Sequence, residues 1–269
     1  MASVTPTDYL KKLGERGDGP HDIAYAALML AALDHPGEPI ERPLSHLVEI
    51  SDAMKKEASM IRRVNDGART VAALLASRLG YDGDRLDYNN AGNADLITVI
   101  ARRRGLPVAL GILYMHAARA LGLRAEGLNT QGHFVIRLTH RHDDITIDPF
   151  NGGAVVDRDH MPAELKGHDV GLAQTVSDTD VLLRLENNLK MRALDAGKPE
   201  RALEVTSRMV LIAPRRPELW FDLARLNEAT GVLGAARKAY ESCLALTPAG
   251  QPLYNEASLS LAQLKRRLN

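Results

Sequence analysis

Residues 105–123 read GLPVALGILYMHAARALGL, and this stretch decides the fold. Pro107 suits the first turn of a helix, because its fixed φ is already helical and an N–H there would have no partner. Apolar residues recur at helical spacing as far as Leu121, and Gly122 is typical of a helix end. The stretch therefore predicts a buried helix that begins at Pro107.

Apolar residues on either side of this helix follow two different periods. Upstream they recur at helical spacing, which predicts helices over 23–33, 44–58 and 68–79 and a further one between an N-cap at Asn93 and Gly105. Downstream they alternate, which predicts strands over 124–128, 133–138 and 145–147, joined by a polar hairpin turn at 140–144. Helices followed by an antiparallel meander predict an α+β domain.

Four short segments together resemble the transglutaminase-like, or papain-like, core: 105–107, 118–123, 132–135 and 147–150. In that superfamily a cysteine begins the helix, a histidine begins the next strand and an aspartate ends the strand after it. His133 and Asp148 match the last two positions, and Pro107 stands where the cysteine is expected. The resemblance thus implies a degenerate triad of Pro107, His133 and Asp148.

Proline at this position removes two parts of the chemistry at once. It has no thiol, and it has no backbone N–H of the kind that lines an oxyanion hole at a helix start. The neighbours Leu106, Val108 and Ala109 supply no hydroxyl or thiol either. We therefore expect no covalent thiol catalysis, and the chain is more plausibly a binding protein than an enzyme.

A closer resemblance covers nearly the whole chain. The segments 93–96, 103–107, 132–134, 148–153 and 185–190, leading into helical repeats, are similar to the bacterial SirB-type family. That family joins a transglutaminase-like domain to tetratricopeptide repeats, carries the same Gly-x-Pro, and was named for a proposed role in regulating invasion genes. This chain departs from the family's pattern at Asn90, Ala94 and Thr130-Gln131. If these positions contact a ligand, this chain is expected to bind a different ligand from other members of the family.

The last third of the chain contains an internal repeat. Pro214 and Pro248 lie 34 residues apart, which is the period of a tetratricopeptide repeat. The positions that this repeat reserves for packing residues hold Trp220, Leu223, Gly231, Ala236, Tyr240 and Pro248. A weaker unit precedes it, and 251–268 would be a capping helix or half of a third unit. We expect a transglutaminase-like domain over 1–170 and an all-α repeat region over 171–269.

Composition excludes several classes of partner. The 34 Lys+Arg balance the 34 Asp+Glu, so no global field favours nucleic acid or an anionic membrane. The apolar segment 23–33 is too short to span a bilayer. Cys243 is the single cysteine, which fits a packing residue in a reducing compartment. We expect a cytoplasmic protein, with export as the alternative, and no cofactor; the oligomeric state is left open.

Side chains near His133 and Asp148 are candidates for a binding cleft: Asn89, Asn90, Tyr114 and Gln131. A metal site formed by the pair with His116, His140 or His142 is not expected, because the last two lie in the predicted turn and His116 is far along its helix. The pair itself has two readings that the sequence leaves open. It is either a buried hydrogen-bonded relic or the floor of a working cleft.

Three functions remain open from the sequence. The first is a non-catalytic regulatory or adaptor protein that binds a protein or peptide partner through the degenerate cleft and the repeat groove. The second is a hydrolase or peptidase in which His133 and Asp148 activate water. The third is a structural scaffold subunit. A sealed, paired His133 would favour the third, and an open cleft would favour the other two.

Overall fold

The computed structural model describes residues 5–128, 130, 133–156 and 173–268. The chain divides into two units: Gly19–Leu185, called here the sheet unit, and Met1–Asp18 with Glu186–Asn269, called the repeat unit. This division differs from the expected 1–170 and 171–269. The first helix belongs with the repeats, and the second boundary falls inside the helix Asp178–Asp195.

Most helices of the sheet unit precede its five-stranded antiparallel sheet, in agreement with the predicted α+β class. Its helices are α2 (Ile23–Ala32), α3 (Glu41–Glu57), α4 (Val64–Ala72), α5 (Leu96–Arg102), α6 (Pro107–Ala120) and the first part of α7 (Asp178–Asp195). Its strands are β1 (Asp82–Gly83), β2 (Arg104–Gly105), β3 (Arg124–Leu128), β4 (Ile136–His140), β5 (Asp143–Asp148), β6 (Ala154–Val155) and β7 (Thr175–Val176). The first two strands pair in parallel, and the other five form one antiparallel sheet in the order β6-β5-β4-β3-β7.

Helix α6 lies at the centre of this unit. It begins at Pro107, as predicted, and buries most of its surface on all sides, which is the pattern of a fully enclosed helix. Gly111 permits its close approach to the sheet, since a Cβ there would lie 2.4 Å from the ring of Phe134. The start of α6 is therefore held beside the residue that follows His133.

Two details of the predicted strands and helices are corrected. The hairpin turn is only Arg141 and His142, with Arg141 in the left-handed region at φ 57°, and His140 pairs with Asp143 as part of the ladder. The predicted turn, 140–144, is too long because its polar residues His140, Asp143 and Asp144 belong to the strand ends. The N-cap of α5 is Asp95, whose side chain accepts from Thr98 N–H, while Asn93 is buried and donates to the Asp87 carbonyl.

The repeat unit is helical in its described residues. Besides the last part of α7 it contains α1 (Pro6–Arg16), α8 (Pro199–Ile212), α9 (Pro217–Ala229), α10 (Leu233–Leu246) and α11 (Pro252–Leu268). The sequence did not predict α1. It packs on α8 so closely that a Cβ at Gly14 would lie 2.1 Å from the Leu211 carbonyl oxygen.

Four of the six predicted packing positions of the repeat lie in or beside one core. Ala236 and Tyr240 are buried there with Cys243, and Trp220 and Leu223 pack against them. Gly231 takes φ 78° between α9 and α10, and Pro248 precedes α11. Burial raises the pKa of the Cys243 thiol, which keeps it a neutral packing group. Within the described residues, no helix combines the length and apolarity needed to cross a bilayer.

Candidate functional site

His133 and Asp148 form a direct pair. Nε2 of His133 lies 2.8 Å from Oδ2 of Asp148. The pair is sealed from solvent, with His133 4% and Asp148 1% exposed. Because a carboxylate is an acceptor, Nε2 carries the proton, and Nδ1 is the ring nitrogen left for other chemistry.

The carboxylate of Asp148 is saturated with donors. Oδ1 accepts from the backbone N–H groups of Phe150 and Asn151 at 2.9 and 3.3 Å, and Oδ2 accepts from Nδ2 of Asn151 at 2.5 Å besides the histidine. Asp148 thereby caps the short turn Pro149–Asn151. Four donors make a buried carboxylate tolerable, and they fix its orientation.

A cation outside the motif extends this network. Nη2 of Arg85 donates to Oδ1 of Asn151 at 2.5 Å and to the Phe150 carbonyl at 3.0 Å, and its guanidinium lies over the Phe150 ring. Phe150 meets the His133 ring edge to face at 6.0 Å. A continuous hydrogen-bonded chain thus runs from Arg85 through Asn151 and Asp148 to His133.

The backbone at His133 is held from a second direction. Nη2 of Arg184, on α7, donates to the His133 carbonyl at 2.6 Å, and Nη1 donates to the Thr130 carbonyl at 3.1 Å. The Thr130 hydroxyl donates to the same His133 carbonyl at 2.5 Å. Burial lowers the pKa of Arg184, and its guanidinium stacks over Phe134. These contacts leave the histidine little freedom to turn.

The N-terminal end of α6 offers no acyl-transfer group. Pro107 is buried at the first helical position and has no N–H, and the N–H of Leu106 donates to the Asn93 carbonyl at 2.8 Å. Pro107 therefore has no donor for an oxyanion hole, and the Leu106 N–H before it is engaged. The structure thus removes a donor that the sequence alone left available.

The predicted cleft residues do not form one lining. Tyr114 is fully buried, and burial raises the pKa of its hydroxyl, which has no hydrogen-bond partner among the described residues. It is a core residue and the expectation of an open lining position is corrected. Asn90 caps a turn by accepting from Gly92 N–H, Asn89 is exposed, and Gln131 lies outside the described residues.

The histidines considered for a metal site lie in other settings. Nε2 of His116 contacts the Ser51 hydroxyl at 2.9 Å and the Leu47 carbonyl at 3.0 Å. His140 ends β4 and His142 is in the exposed hairpin turn. In the part of the chain that the structure describes, no group of three or more His, Cys, Asp or Glu side chains could hold a metal ion.

The repeat unit contains an open groove between two of its helices. Seven residues line a cavity of about 390 Å³: Lys190, Met191 and Leu194 from α7, and Asp222, Arg225, Leu226 and Ala229 from α9. We call this the α7–α9 groove. Met191 is 46% and Leu194 40% exposed, so apolar surface is available on its floor. The sequence predicts the repeat, and it singles out Lys190 alone of these residues, as the end of the segment 185–190 that carries the family resemblance.

Sequence analysis did not identify the roles of Asn151, Arg85 and Arg184 in the polar network. Asn151 carries a local signal, because in an Asp-Pro-Phe-Asn turn the asparagine side chain can hydrogen-bond to the aspartate. Arg85 and Arg184 carry no such signal, and Thr130 stands out in the sequence only as a departure from the SirB-type pattern. Arg85 is 65 residues from Phe150, and Arg184 is 51 residues from His133, so only folding brings them to the pair.

Comparison with known proteins supports both units. Residues 41–187 match the transglutaminase-like superfamily, and residues 189–269 match the tetratricopeptide repeat. A "UPF0162 protein" of Xylella fastidiosa is 29% identical over 65% of this chain and 66% of its own length. Human "F-box only protein 21" is 34% identical over 35% of this chain and 16% of its own. The chain thus spans less than two thirds of the length of these curated relatives.

A solved structure covers more of the chain at lower similarity. A crystal structure of menin, described as revealing the binding site for Mixed Lineage Leukemia (MLL) protein, covers 90% of this chain and 71% of its own. The TM-score is 0.41 and the identity 11%, and at that level the likeness supports no conclusion. The bacterial relatives and the two matched regions are consistent with the SirB-type resemblance in the sequence.

Proposed function

Because the chain belongs to the transglutaminase-like superfamily and continues into tetratricopeptide repeats, we propose that it is a non-catalytic regulatory or adaptor protein. Its task is to bind a protein or peptide partner. The observation that carries this proposal is Pro107 at the start of α6, the position where the family resemblance expects the nucleophile. Pro107 supplies neither a thiolate nor an amide donor there, and the Leu106 N–H is engaged with Asn93.

The state of His133 and Asp148 supports the same proposal. Both side chains are buried, and the carboxylate oxygens of Asp148 accept hydrogen bonds from the turn Pro149–Asn151 as well as from the histidine. A general base needs to reach the proton that it removes. The pair then acts as a polar link between the segment that precedes β4 and the end of β5. The cleft contributes less to partner binding than the sequence suggested.

The repeat region supplies the binding surface in this proposal. Tetratricopeptide repeats stack helix pairs into arrays that commonly bind peptides and proteins. The α7–α9 groove exposes Met191 and Leu194 beside charged residues, which is the composition of a recognition surface. The single buried cysteine agrees with a reducing compartment, and we propose the cytoplasm as the location.

Site-specific cross-linking in the full-length protein tests the proposal. p-Benzoylphenylalanine is placed at Met191 in the groove and, as a matched control, at Val48, an apolar residue of α3 that is 51% exposed. A defined cross-linked species is expected from position 191 and not from position 48. Equal yields from the two positions, or none from position 191, would contradict partner binding in the groove.

A hydrolase without a covalent intermediate is the second candidate. One observation favours it: the chain from Arg85 to His133 fixes the imidazole tautomer, as a general base requires. A panel of amide and ester substrates is assayed with the wild type and His133→Gln. Turnover lost in His133→Gln would support the hydrolase; turnover that is absent, or the same in both proteins, would eliminate it.

A further inference from the structure

The α7–α9 groove is apolar on its floor and charged on its walls. Met191, Leu194 and Leu226 supply the floor, and Lys190 and Arg225 bring one cation from each helix. One carboxylate, Asp222, stands against these two cations. The groove therefore carries an excess of positive charge in an otherwise neutral protein.

Lys190 is the stronger argument for a ligand, because its ammonium is buried and has more donors than recorded acceptors. The residue is 8% exposed, and its ammonium donates to Oδ2 of Asp222 at 2.7 Å. An ammonium carries three donors. Among the described residues Asp222 is the one acceptor recorded for Lys190. A buried ammonium with donors to spare stabilises an acceptor that enters the groove.

Arg225 adds a second point of recognition. It is exposed on α9, and within the described chain no hydrogen bond or ion pair is recorded for its guanidinium. A guanidinium matches the two oxygens of a carboxylate in a planar fork. Both cations border one apolar floor, so a ligand that fills the floor brings a neighbouring group within reach of them.

We propose that the α7–α9 groove binds a peptide segment in which an apolar side chain is flanked by Asp or Glu. The apolar side chain covers Met191, Leu194 and Leu226, and the carboxylate meets Arg225 and the spare donors of Lys190. This inference rests on the proposed function and names the chemistry of the partner that the groove accepts.

Three synthetic peptides test the chemistry against the full-length protein. They share one serine and glycine framework with two leucines. The first has glutamates beside the leucines and the second has glutamines there, both with blocked ends. The third has glutamines, a blocked N-terminus and a free C-terminal carboxylate. The glutamate peptide is expected to bind at least about tenfold more tightly than the other two, with an affinity that falls as salt is added.

Substitutions locate the effect. Arg225→Glu is expected to weaken the glutamate peptide by about tenfold or more and to erase its advantage over the glutamine peptide. Arg225→Lys keeps the charge and is expected to retain most of the affinity. Arg237→Glu, the same change at an exposed position of α10 outside the groove, is the matched control and is expected to leave binding unchanged.

Three results would overturn the inference. They are equal affinity for glutamate and glutamine peptides, tighter binding of the free C-terminal carboxylate, and an Arg225→Glu protein that binds like wild type. If the glutamine peptide binds and Leu194→Ser removes that binding, the acidic chemistry is wrong and the groove function stands. If no peptide binds and cross-linking from Met191 equals that from Val48, the proposed function fails as well.

Discussion

The pair of His133 and Asp148 can be buried because neighbouring groups form hydrogen bonds with both residues. The carboxylate has four donors, and the histidine carbonyl accepts from both Thr130 and Arg184. A buried ionic network of this kind is costly when one partner is removed and contributes little when complete. The pair therefore has a structural role, since Asp148 caps the turn Pro149–Asn151 and fixes the His133 ring.

Tyr114 gives a prediction of the opposite kind. Its hydroxyl is buried without a hydrogen-bond partner among the described residues, so Tyr114→Phe removes a desolvation cost and no bond. We expect the free energy of unfolding to stay unchanged or to rise by up to about 1 kcal/mol. Urea denaturation followed by far-UV circular dichroism measures this.

Tyr81 is the matched control in the same unit. It is equally buried, but its hydroxyl accepts from the Arg103 guanidinium and contacts Nε2 of His46, and burial raises its pKa to about 12. Tyr81→Phe should cost about 1.5–3 kcal/mol, since a hydrogen bond to a charged group is lost. Equal losses at positions 81 and 114 would contradict the assignment of Tyr114 as unpartnered.

Two histidines predict how stability changes between neutral and mildly acid pH. Burial first, and then the nearby Arg103 guanidinium, lowers the pKa of His46 below its usual 6.5. Burial works in the same direction on His35, but the Asp95 and Glu38 carboxylates outweigh it and raise the His35 pKa above 6.5. His46 thus contributes stability that is lost as pH falls below 6.5, and His35 contributes stability that is lost as pH rises above it.

Single substitutions separate the two effects. The range from pH 7 to pH 5 is the one in which histidine titrates. On acidification across it, His46→Gln should lose less stability than wild type, and His35→Gln should lose more. Urea midpoints at both pH values provide the measurement. Identical pH dependence in the three proteins would show that neither histidine is coupled to folding.

Sequence alone predicted the residues that lie in short motifs. Pro107, His133 and Asp148 each stand at a recognisable position in a short motif, so the neighbouring residues are enough to identify them. Arg85 is 65 residues from its partner Phe150 and Arg184 is 51 residues from His133, so no local sequence pattern marks either arginine. Tyr114 was misplaced because helical spacing does not tell which face of a fully enclosed helix meets a cleft.

At the scale of elements, glycines set two close approaches. Gly111 lets α6 meet Phe134, and Gly14 lets α1 meet the Leu211 carbonyl. The helix α6 was predictable because its start, apolar run and end are all written in one stretch. The docking of α1 on α8 was not, because a contact between the first helix and one some 200 residues away has no counterpart in local periodicity.

Gly14 tests the docking of α1. A Cβ at this position would lie 2.1 Å from backbone, so Gly14→Ala should lower the stability of the repeat unit by about 1–3 kcal/mol despite alanine's better helix propensity. Gly234→Ala in α10 is the control, because no atom lies within 4 Å of the added Cβ, and it should raise stability by about 0.5–1 kcal/mol.

Trp220 reports on these variants directly. It is the single tryptophan of the chain and lies in the repeat unit, where its Nε1 donates to the Pro214 carbonyl at 2.8 Å. Urea unfolding followed by its fluorescence therefore isolates the repeat unit. A Gly14→Ala protein as stable as Gly234→Ala would mean that α1 does not pack on α8.

At the scale of the whole molecule, a transglutaminase-like unit with a proline at the start of α6 is followed by a repeat unit with a charged, apolar groove. The order of the two units followed from the change of period along the chain and from the 34-residue spacing. The groove did not, because its lining comes from two helices and its charge depends on which donors folding leaves unused.

The yield of the benzoylphenylalanine cross-link from position 191, compared in His133→Gln and Arg225→Glu backgrounds, tests the central claim most directly. If the chain binds its partner through the repeat groove and not through chemistry at the pair, the yield stays at the wild-type level in His133→Gln and falls in Arg225→Glu. Loss of the cross-link in a folded His133→Gln protein, with full yield in Arg225→Glu, would contradict the account.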